Sequence, residues 1–261
     1  MAEMTAAEMR AAVQRRPVVL LALGSFEDQG PHAPMGDYLS ADAVALRIAE
    51  RASEAGTETL LAPVLPFGGA DYFASMPGGI SLSQAALRAV LDDMLACLLR
   101  HGLKRIVVIN GHGGNVQAIH EATQRVWLEQ GVLVPSFYLW RVGYGLLPAI
   151  LGAETARKAS GHGADPLSSV AMHLFPALMR PDLVPDAAPA PEFRGLKVAG
   201  FASLNLDGAE IGVPLEAAQL APNGVMHGDP RLCSAATGAA LVDRLVEIGA
   251  SLAARVAAWD A

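Results

Sequence analysis

Continuous apolar segments of strand length alternate with amphipathic segments of helix length along the first half of the chain. Residues 17–26 (PVVLLALGSF) and 105–110 (RIVVIN) lack the polar alternation of a half-exposed strand, which is typical of strands buried on both faces of a sheet. Helical periodicity marks residues 40–55 and 83–101. The repeated strand–helix order predicts an α/β fold, a three-layer architecture in which a mostly parallel β-sheet is flanked by helices.

The rest of the chain extends this pattern without dividing it. Further strands are predicted over residues 57–64 and 132–140, and a long C-terminal helix over residues 231–258. Residues 181–224 are expected to be loop-rich, because they contain a proline-rich surface segment. Since the sequence has no internal repeat and no linker, we expect residues 1–261 to form a single domain.

The composition argues against several classes of function. The 26 acidic residues outnumber the 19 basic ones, so the chain lacks the basic footprint of a nucleic-acid-binding protein. It has no apolar run of about 18 residues, so no membrane span is expected. No N-terminal signal peptide is recognisable. The two cysteines form no CxxC pair, which favours a reducing, cytoplasmic location.

Low charge is a second feature of the composition. Only 17% of the residues are charged, 52% are hydrophobic, and the mean hydropathy is +0.33. Burial of apolar surface between subunits would explain these values, so we expect a homo-oligomer. An alanine-rich proteome explains them equally well.

The loop after the first predicted strand is rich in side chains that bind metals. Residues 24–37 (GSFEDQGPHAPMGD) include Glu27, Gln29, His32 and Asp37, and two prolines stiffen the segment. Carboxylate and imidazole groups are the usual ligands of hydrolytic Zn²⁺ or Mn²⁺. Sites in parallel sheets form at the carboxyl ends of strands, where this loop begins. From composition alone, a polar turn with solvated acids is the alternative.

Two further loops each present a histidine between glycines. Residues 110–115 (NGHGGN) carry His112 at the end of a predicted strand, and they lack the lysine and the spacing of nucleotide-binding loops. Residues 161–165 (GHGAD) carry His162 and Asp165, which could supply a general base and a carboxylate. In both places the alternative is a glycine-rich turn with a surface histidine.

Together, these segments resemble the motifs of the creatininase (creatinine amidohydrolase) family. Residues 27–34 resemble its Glu-x-His-Gly-Pro-His-Leu-Pro run, and residues 110–115 its Asn-Gly-His-Gly-Gly-Asn element. The segment at His162 resembles its His-Ala-Gly-x-x-Glu-Thr-Ser element, and residues 77–82 (PGGISL) and 228–230 (GDP) match two further stretches. The five matches occur in the family's order and span most of the chain, so the resemblance implies a creatininase-like fold.

The resemblance implies roles for individual residues. Glu27, Asp37 and His112 match metal ligands of the family, and His162 matches its catalytic general acid/base. The match of Asp37 requires a deletion of one residue, and without it the position falls on Tyr38, a poor ligand for a hydrolytic metal. We therefore expect Asp37 on the metal and Tyr38 outside its coordination shell.

The chain departs from the family at the second metal. Gln29 replaces a histidine ligand, and Gly114 and Leu167 stand where family members have a glutamate. Asp165 is the nearby carboxylate that we expect to substitute as a weaker ligand. The resemblance thus implies a divalent metal cofactor, Zn or Mn, with one site in place and a second site largely lacking its ligands.

The function implied by the resemblance is metal-dependent hydrolysis of an amide-type C–N bond in a small polar molecule, such as a cyclic amide, by a metal-activated water. Gln29, Tyr72 and Trp140 are the expected substrate-binding residues. One alternative is a hydrolase of the same family that acts on a lactone, a formamide or a cyclic ketone. Another is a non-catalytic ligand-binding paralogue. The resemblance also implies that the homo-oligomer is a hexamer.

Overall fold

A parallel sheet of four strands forms the centre of the fold. The computed structural model describes residues 1–69, 72–73, 75–187 and 191–259. Strands β1 (Val18–Leu23), β2 (Thr59–Leu61), β3 (Ile106–Asn110) and β4 (Ser136–Tyr138) lie in the order β2-β1-β3-β4, and their pairings are all parallel. The helices are α1 (Ala6–Gln14), α2 (Asp37–Glu54), α3 (Gln84–Arg100), α4 (Val116–Gln130), α5 (Leu139–Leu151), α6 (Ala153–Ala159), α7 (Leu167–Leu174), α8 (Ala217–Leu220) and α9 (Ala235–Ala258). In these described ranges, no helix is long and apolar enough to cross a membrane.

Strand β1 separates two apolar cores. Its even-numbered side chains pack against helices α2 and α9, and its odd-numbered side chains pack against α3 and α4. This follows from the alternation of side chains in a strand, and it leaves every residue of β1 buried. The absence of polar alternation in residues 17–26 is therefore a consequence of burial on both faces. The predicted α/β fold, with a mostly parallel sheet between layers of helices, is confirmed.

Helix α2 begins three residues before residue 40, its predicted start. Gly36 precedes it in an extended conformation, and Asp37 is the first helical residue. A carboxylate in the first turn is favoured by the positive end of the helix dipole. The helix thus holds the Asp37 backbone rigidly at the carboxyl edge of the sheet.

The expectation of a loop-rich segment over residues 181–224 is wrong for its central part. Strands β5 (Glu192–Phe193), β6 (Leu196–Gly200), β7 (Ser203–Leu206) and β8 (Ala209–Gly212) form an antiparallel sheet in chain order. We call it the second sheet. Its strands have two to five residues, too few for their periodicity to be recognised.

A small apolar cluster of its own supports the second sheet. The cluster contains Val198 of β6 and Leu204 of β7, together with Leu215 and Leu220 from the segment that follows. Turn residues Asp207 and Gly208 both have positive φ, as in a two-residue hairpin. That Asp-Gly pair was the local signal from which the hairpin could have been predicted.

Candidate active site

Three buried side chains converge at the carboxyl edge of the parallel sheet. Glu27 lies in the loop after β1, Asp37 begins α2, and His112 follows β3. One ligand atom of each lies within 4.8 Å of the other two. The Nδ1 atom of His112 is 3.2 Å from Oε1 of Glu27 and 3.3 Å from Oδ2 of Asp37. The structure thus brings together the three side chains that were predicted as metal ligands.

Two asparagines hold the loop that carries His112. The Oδ1 atom of Asn110 accepts a hydrogen bond from the His112 backbone N–H at 3.0 Å, and its Nδ2 donates to the His112 carbonyl at 2.7 Å. The buried Asn115 donates to the Gly24 carbonyl at 3.1 Å and accepts from the Gly69 N–H at 2.9 Å. Asn115 therefore ties the loops after β1, β2 and β3 into one frame.

A contact of the Nε2 atom of His112 determines that its Nδ1 atom faces the carboxylates. Its Nε2 is 3.0 Å from the Gly69 carbonyl oxygen, which can only accept a hydrogen bond. Nε2 therefore carries a proton, and Nδ1 is the nitrogen that faces Glu27 and Asp37 and that would bind a metal through its lone pair. Gly68 allows this close approach, because a Cβ there would lie 2.6 Å from the Gly24 carbonyl and 3.0 Å from the His112 ring.

The electrostatics of this cluster favour a cation. Burial opposes protonation of His112, but Glu27 and Asp37 outweigh it and raise the pKa of the imidazole well above its usual value. Burial also raises the pKa of Asp37. It acts in the same direction on Glu27, where His112 overcomes it and lowers the pKa to about 2. One imidazole nitrogen and two carboxylates are a fitting donor set for Zn²⁺ or Mn²⁺.

His162 lies beside the cluster. Its Nδ1 is 2.9 Å from the Gly224 carbonyl oxygen, and its Nε2 is 3.5 Å from Oε1 of Glu27. Two backbone hydrogen bonds of 2.9 Å pair His162 with Met226 and hold the turn in place. Because the Gly224 carbonyl keeps a proton on Nδ1, Nε2 of the neutral ring is an unprotonated nitrogen.

The cluster and the three expected substrate-binding residues line one cavity of about 920 Å³. Gln29 is buried and donates through Nε2 to Oε1 of Glu27 at 3.2 Å. Trp140 donates its indole N–H to the Gly111 carbonyl, which fixes the ring in the wall. Tyr72 stacks on Phe201 with ring centroids 5.8 Å apart.

Asp165 does not join the cluster, so its expected role as a ligand of a second metal needs correction. Its side chain is fully buried, does not line the cavity, and has Ser169 and Cys233 as polar neighbours. Its backbone bonds to Ala159 and Gly161 close the turn that carries His162. Asp165 is therefore close to His162 in the sequence because it helps to form the turn that carries His162. His32 is also buried away from the cluster, with Nε2 at 3.3 Å from Oγ of Ser168.

The second sheet forms a wall of the cavity that the sequence did not predict. Phe201, Ser203 and Glu210 line it, and the Phe201 ring lies edge-on to His162 with centroids 5.1 Å apart. His227, next to the backbone partner of His162, also lines the cavity. Turn residues could have indicated the hairpin, but no local pattern indicates that it lies against the site.

Comparison with known proteins agrees with this geometry. The family model for creatininase, described as creatinine amidohydrolase, matches residues 2–252. The chain belongs to the creatininase family. A mycofactocin precursor peptide peptidase of Mycobacterium ulcerans is 29% identical over 253 residues, which cover 93% of this chain and 86% of that protein. The creatinine amidohydrolase of Pseudomonas putida is 35% identical over 113 residues, which cover 40% of each protein.

Solved creatininase structures share the whole fold. A mutant creatininase complexed with creatine superimposes with a TM-score of 0.76 at 25% identity, over 96% of this chain and 95% of that one. A manganese creatininase gives a TM-score of 0.75 at the same identity and coverage. A further mutant is of a Zn-Zn type, with a TM-score of 0.76. The chain is therefore an amidohydrolase of the creatininase family, a family with Mn and Zn forms, and Glu27, Asp37 and His112 form a buried cluster that could bind such a metal.

Proposed function

We propose that this enzyme hydrolyses an amide-type C–N bond of a small polar substrate, such as a cyclic amide, at a metal held by Glu27, Asp37 and His112. The convergence of their ligand atoms within 4.8 Å in a buried site is the observation that carries the proposal. When bound, a divalent metal lowers the pKa of water and polarises the scissile carbonyl. Gln29, Tyr72 and Trp140 border the space in which the substrate would bind.

His162 is the proposed proton shuttle. Its Nδ1–H is held by the Gly224 carbonyl, so Nε2 accepts a proton and later delivers it to the leaving nitrogen. Phe73 stacks on the imidazole with centroids 4.7 Å apart, which keeps the ring in this orientation. General acid–base catalysis of this kind contributes about 10²–10⁴-fold to the rate.

We propose that one metal suffices for activity. The described residues contain one group of three or more metal-ligating side chains, and Asp165 lies outside it. Gln29 and Gly114, which replace ligands of the second metal in the family, both line the cavity. The amide oxygen of Gln29 is buried without a hydrogen-bond partner among the described residues, so the side chain would gain a hydrogen bond if it turned this oxygen toward a substrate N–H.

Hydrolysis of a peptide bond is the second candidate function. Two observations favour it: the relative that matches 93% of this chain is named a mycofactocin precursor peptide peptidase, and the cavity of about 920 Å³ is large for a single small ring. Cavities of about 300–1,000 Å³ enclose ligands of drug size, so a few residues of a peptide would fit.

A metal analysis combined with a substrate screen tests the proposal. Protein purified without chelator should contain about one equivalent of Zn or Mn per chain and should hydrolyse cyclic amides or short peptides but not lactones, formamides or cyclic ketones. Removal of the metal should abolish turnover, and its return should restore it. A protein that binds these compounds without turning any of them over would be a ligand-binding paralogue.

We further propose a cytoplasmic location and assembly into a hexamer. Both cysteines, Cys97 and Cys233, are free thiols, as expected in a reducing compartment. Fluorescence of a tagged chain in the producing cell tests the location, and the assembly is taken up below.

A further inference from the structure

We infer that the substrate carries a cationic group, an ammonium or a guanidinium, which binds to Glu210 on the wall formed by the second sheet. The inference rests on the proposed function, since it specifies the substrate class of the same site. It is carried by the position of Glu210, by the charges of the cavity, and by the aromatic rings that line the same cavity.

Glu210 is an acidic residue of the cavity without a basic partner. It lies on β8 opposite Asn205 of β7, exposed to solvent. Its Oε1 accepts a hydrogen bond of 2.6 Å from Oγ of Ser203, a residue on the same face of the sheet. No ion pair found among the described residues includes Glu210. The carboxylate is thus held at the cavity without an ion pair, and Lys197, two strands away in the same cross-strand row, lies directly opposite Glu192.

The other charges of the cavity leave this negative charge unbalanced. Glu27 and Asp37 are compensated by a divalent metal when one is bound, and no described lysine or arginine lines the cavity. The residues outside the described ranges include no lysine or arginine either. Burial lowers the pKa of His227, so this imidazole is neutral at neutral pH. A substrate carboxylate would therefore be repelled at this wall, whereas a cation would be attracted.

Aromatic rings line the same cavity as Glu210 and contact His162. Phe201 precedes Ser203 by two residues and stacks on Tyr72, and it forms edge-to-face contacts with Phe73 and His162 at centroid distances of 5.3 and 5.1 Å. Aromatic faces attract ammonium and guanidinium groups, and they also pack against an alkyl chain. The rest of a substrate whose cationic group binds Glu210 would thus have an aromatic wall to pack against, and this wall includes the ring that contacts His162.

Gln29 provides an independent indication of a donor-rich substrate. Its Oε1 is an acceptor in a side chain that is only 1% exposed, it lines the same cavity, and no described group donates to it. A buried acceptor without a donor is costly, so a ligand N–H that reaches it adds affinity. The side chains that line the cavity therefore include an unsatisfied acceptor at Gln29 in addition to the carboxylate of Glu210.

The test compares two amides with the same alkyl chain, Nα-acetyl-lysinamide, which ends in an ammonium group, and Nα-acetyl-norleucinamide, which lacks it. Ammonia release gives kcat/KM for each, and calorimetry with zinc-loaded protein gives Kd. The wild type should prefer the lysine compound by about tenfold, the scale of one partly solvated charge interaction. Glu210→Gln should reduce this ratio to about one. Glu192→Gln, which neutralises an exposed acid of the same sheet outside the cavity lining, should leave the ratio as in the wild type.

The two proposals fail in different ways. One outcome is that calorimetry shows a preference for the lysine compound, that Glu210→Gln removes this preference, and that no ammonia is released. This outcome upholds the cation site and refutes hydrolysis of these linear amides. Hydrolysis of both compounds at equal rates refutes the cation site and leaves the hydrolase intact. A preference that persists in Glu210→Gln, or the absence of binding of either compound at millimolar concentration, also overturns the inference.

Discussion

Asp37 is held at the site by two independent contacts. One carboxylate oxygen accepts a hydrogen bond from the Ser25 backbone N–H, and the other faces Nδ1 of His112. The adjacent Tyr38 is not among the residues that line the cavity. The geometry thus favours Asp37 over Tyr38 as the ligand that follows from the sequence resemblance.

Substitutions at Asp37 and Tyr38 test which of the two side chains binds the metal. Asp37→Asn keeps the shape of the side chain but removes its charge. The Kd for zinc should therefore rise by more than the ~100-fold that is typical when a residue that hydrogen-bonds to a metal ligand is mutated. Tyr38→Phe, the matched control, should retain the wild-type Kd. Competition titration against a chromogenic chelator measures both, and equal affinities in the two variants would show that Asp37 is not a ligand.

His162 should separate catalysis from metal binding. Because its Nε2 is 3.5 Å from Glu27 and its Nδ1 is held by Gly224, His162→Ala removes a proton carrier and leaves the three ligands in place. We expect kcat to fall by about 10²–10⁴-fold with unchanged metal content. His112→Ala should lose both. Loss of metal from His162→Ala would instead identify His162 as a ligand, and full activity would exclude it from catalysis.

The buried Asp165 predicts a dependence of stability on pH. Burial raises its pKa in the folded state, so the neutral acid is favoured there. Its favourable contribution to the free energy of unfolding is therefore complete below the pKa of the unfolded chain, about 3.9. It is lost as the pH rises through the raised pKa of the folded protein. Asp165→Asn imitates the neutral acid, so its Tm relative to wild type should increase between acidic and neutral pH. A difference in Tm that is constant across this range would contradict this assignment.

At the scale of elements, the strand-end loops could be predicted, whereas the position of the second sheet against the site could not. Glu27 and His112 follow strands whose burial on both faces leaves a clear apolar run, and parallel strands bring their carboxyl ends to one edge. Glu210 and Phe201 lie in or beside strands of a few residues, and their place at the cavity depends on packing between distant segments. Local periodicity contains no information about that packing.

Helix α9 illustrates how tightly the elements pack beneath the site. A Cβ on Gly238 would overlap the Ser169 carbonyl of α7, and it would lie 2.9 Å from the His173 side chain. Gly238→Ala should therefore destabilise the protein by about 1–3 kcal/mol. Gly145→Ala, in α5 with no atom within 4 Å of its Cβ, should stabilise it by up to ~1 kcal/mol. Urea unfolding of both variants measures the contrast, and equal effects would refute the close α7–α9 packing.

At the scale of the whole molecule, apolar side chains remain on the surface of the single chain. Trp127 and Leu133 are each 50% exposed and Trp259 is 37% exposed, and the three line one shallow surface groove. Leu128, 75% exposed, adjoins Trp127 in α4. Lys104 and Arg105 also line the groove, and apolar surface bordered by polar residues is typical of contacts between proteins.

Assembly into a homo-oligomer would cover such surface, and the family resemblance implies a hexamer. Only 17% of the residues are charged, so a monomer would have few charges to keep it soluble. We expect sedimentation equilibrium at micromolar concentration to give six times the chain mass of 27.1 kDa. Trp127→Glu should shift this mass toward smaller species if the groove lies between subunits, whereas Glu129→Gln, two residues further along α4, should not. A wild-type mass equal to that of one chain would refute the assembly, and the exposed tryptophans would then need another partner.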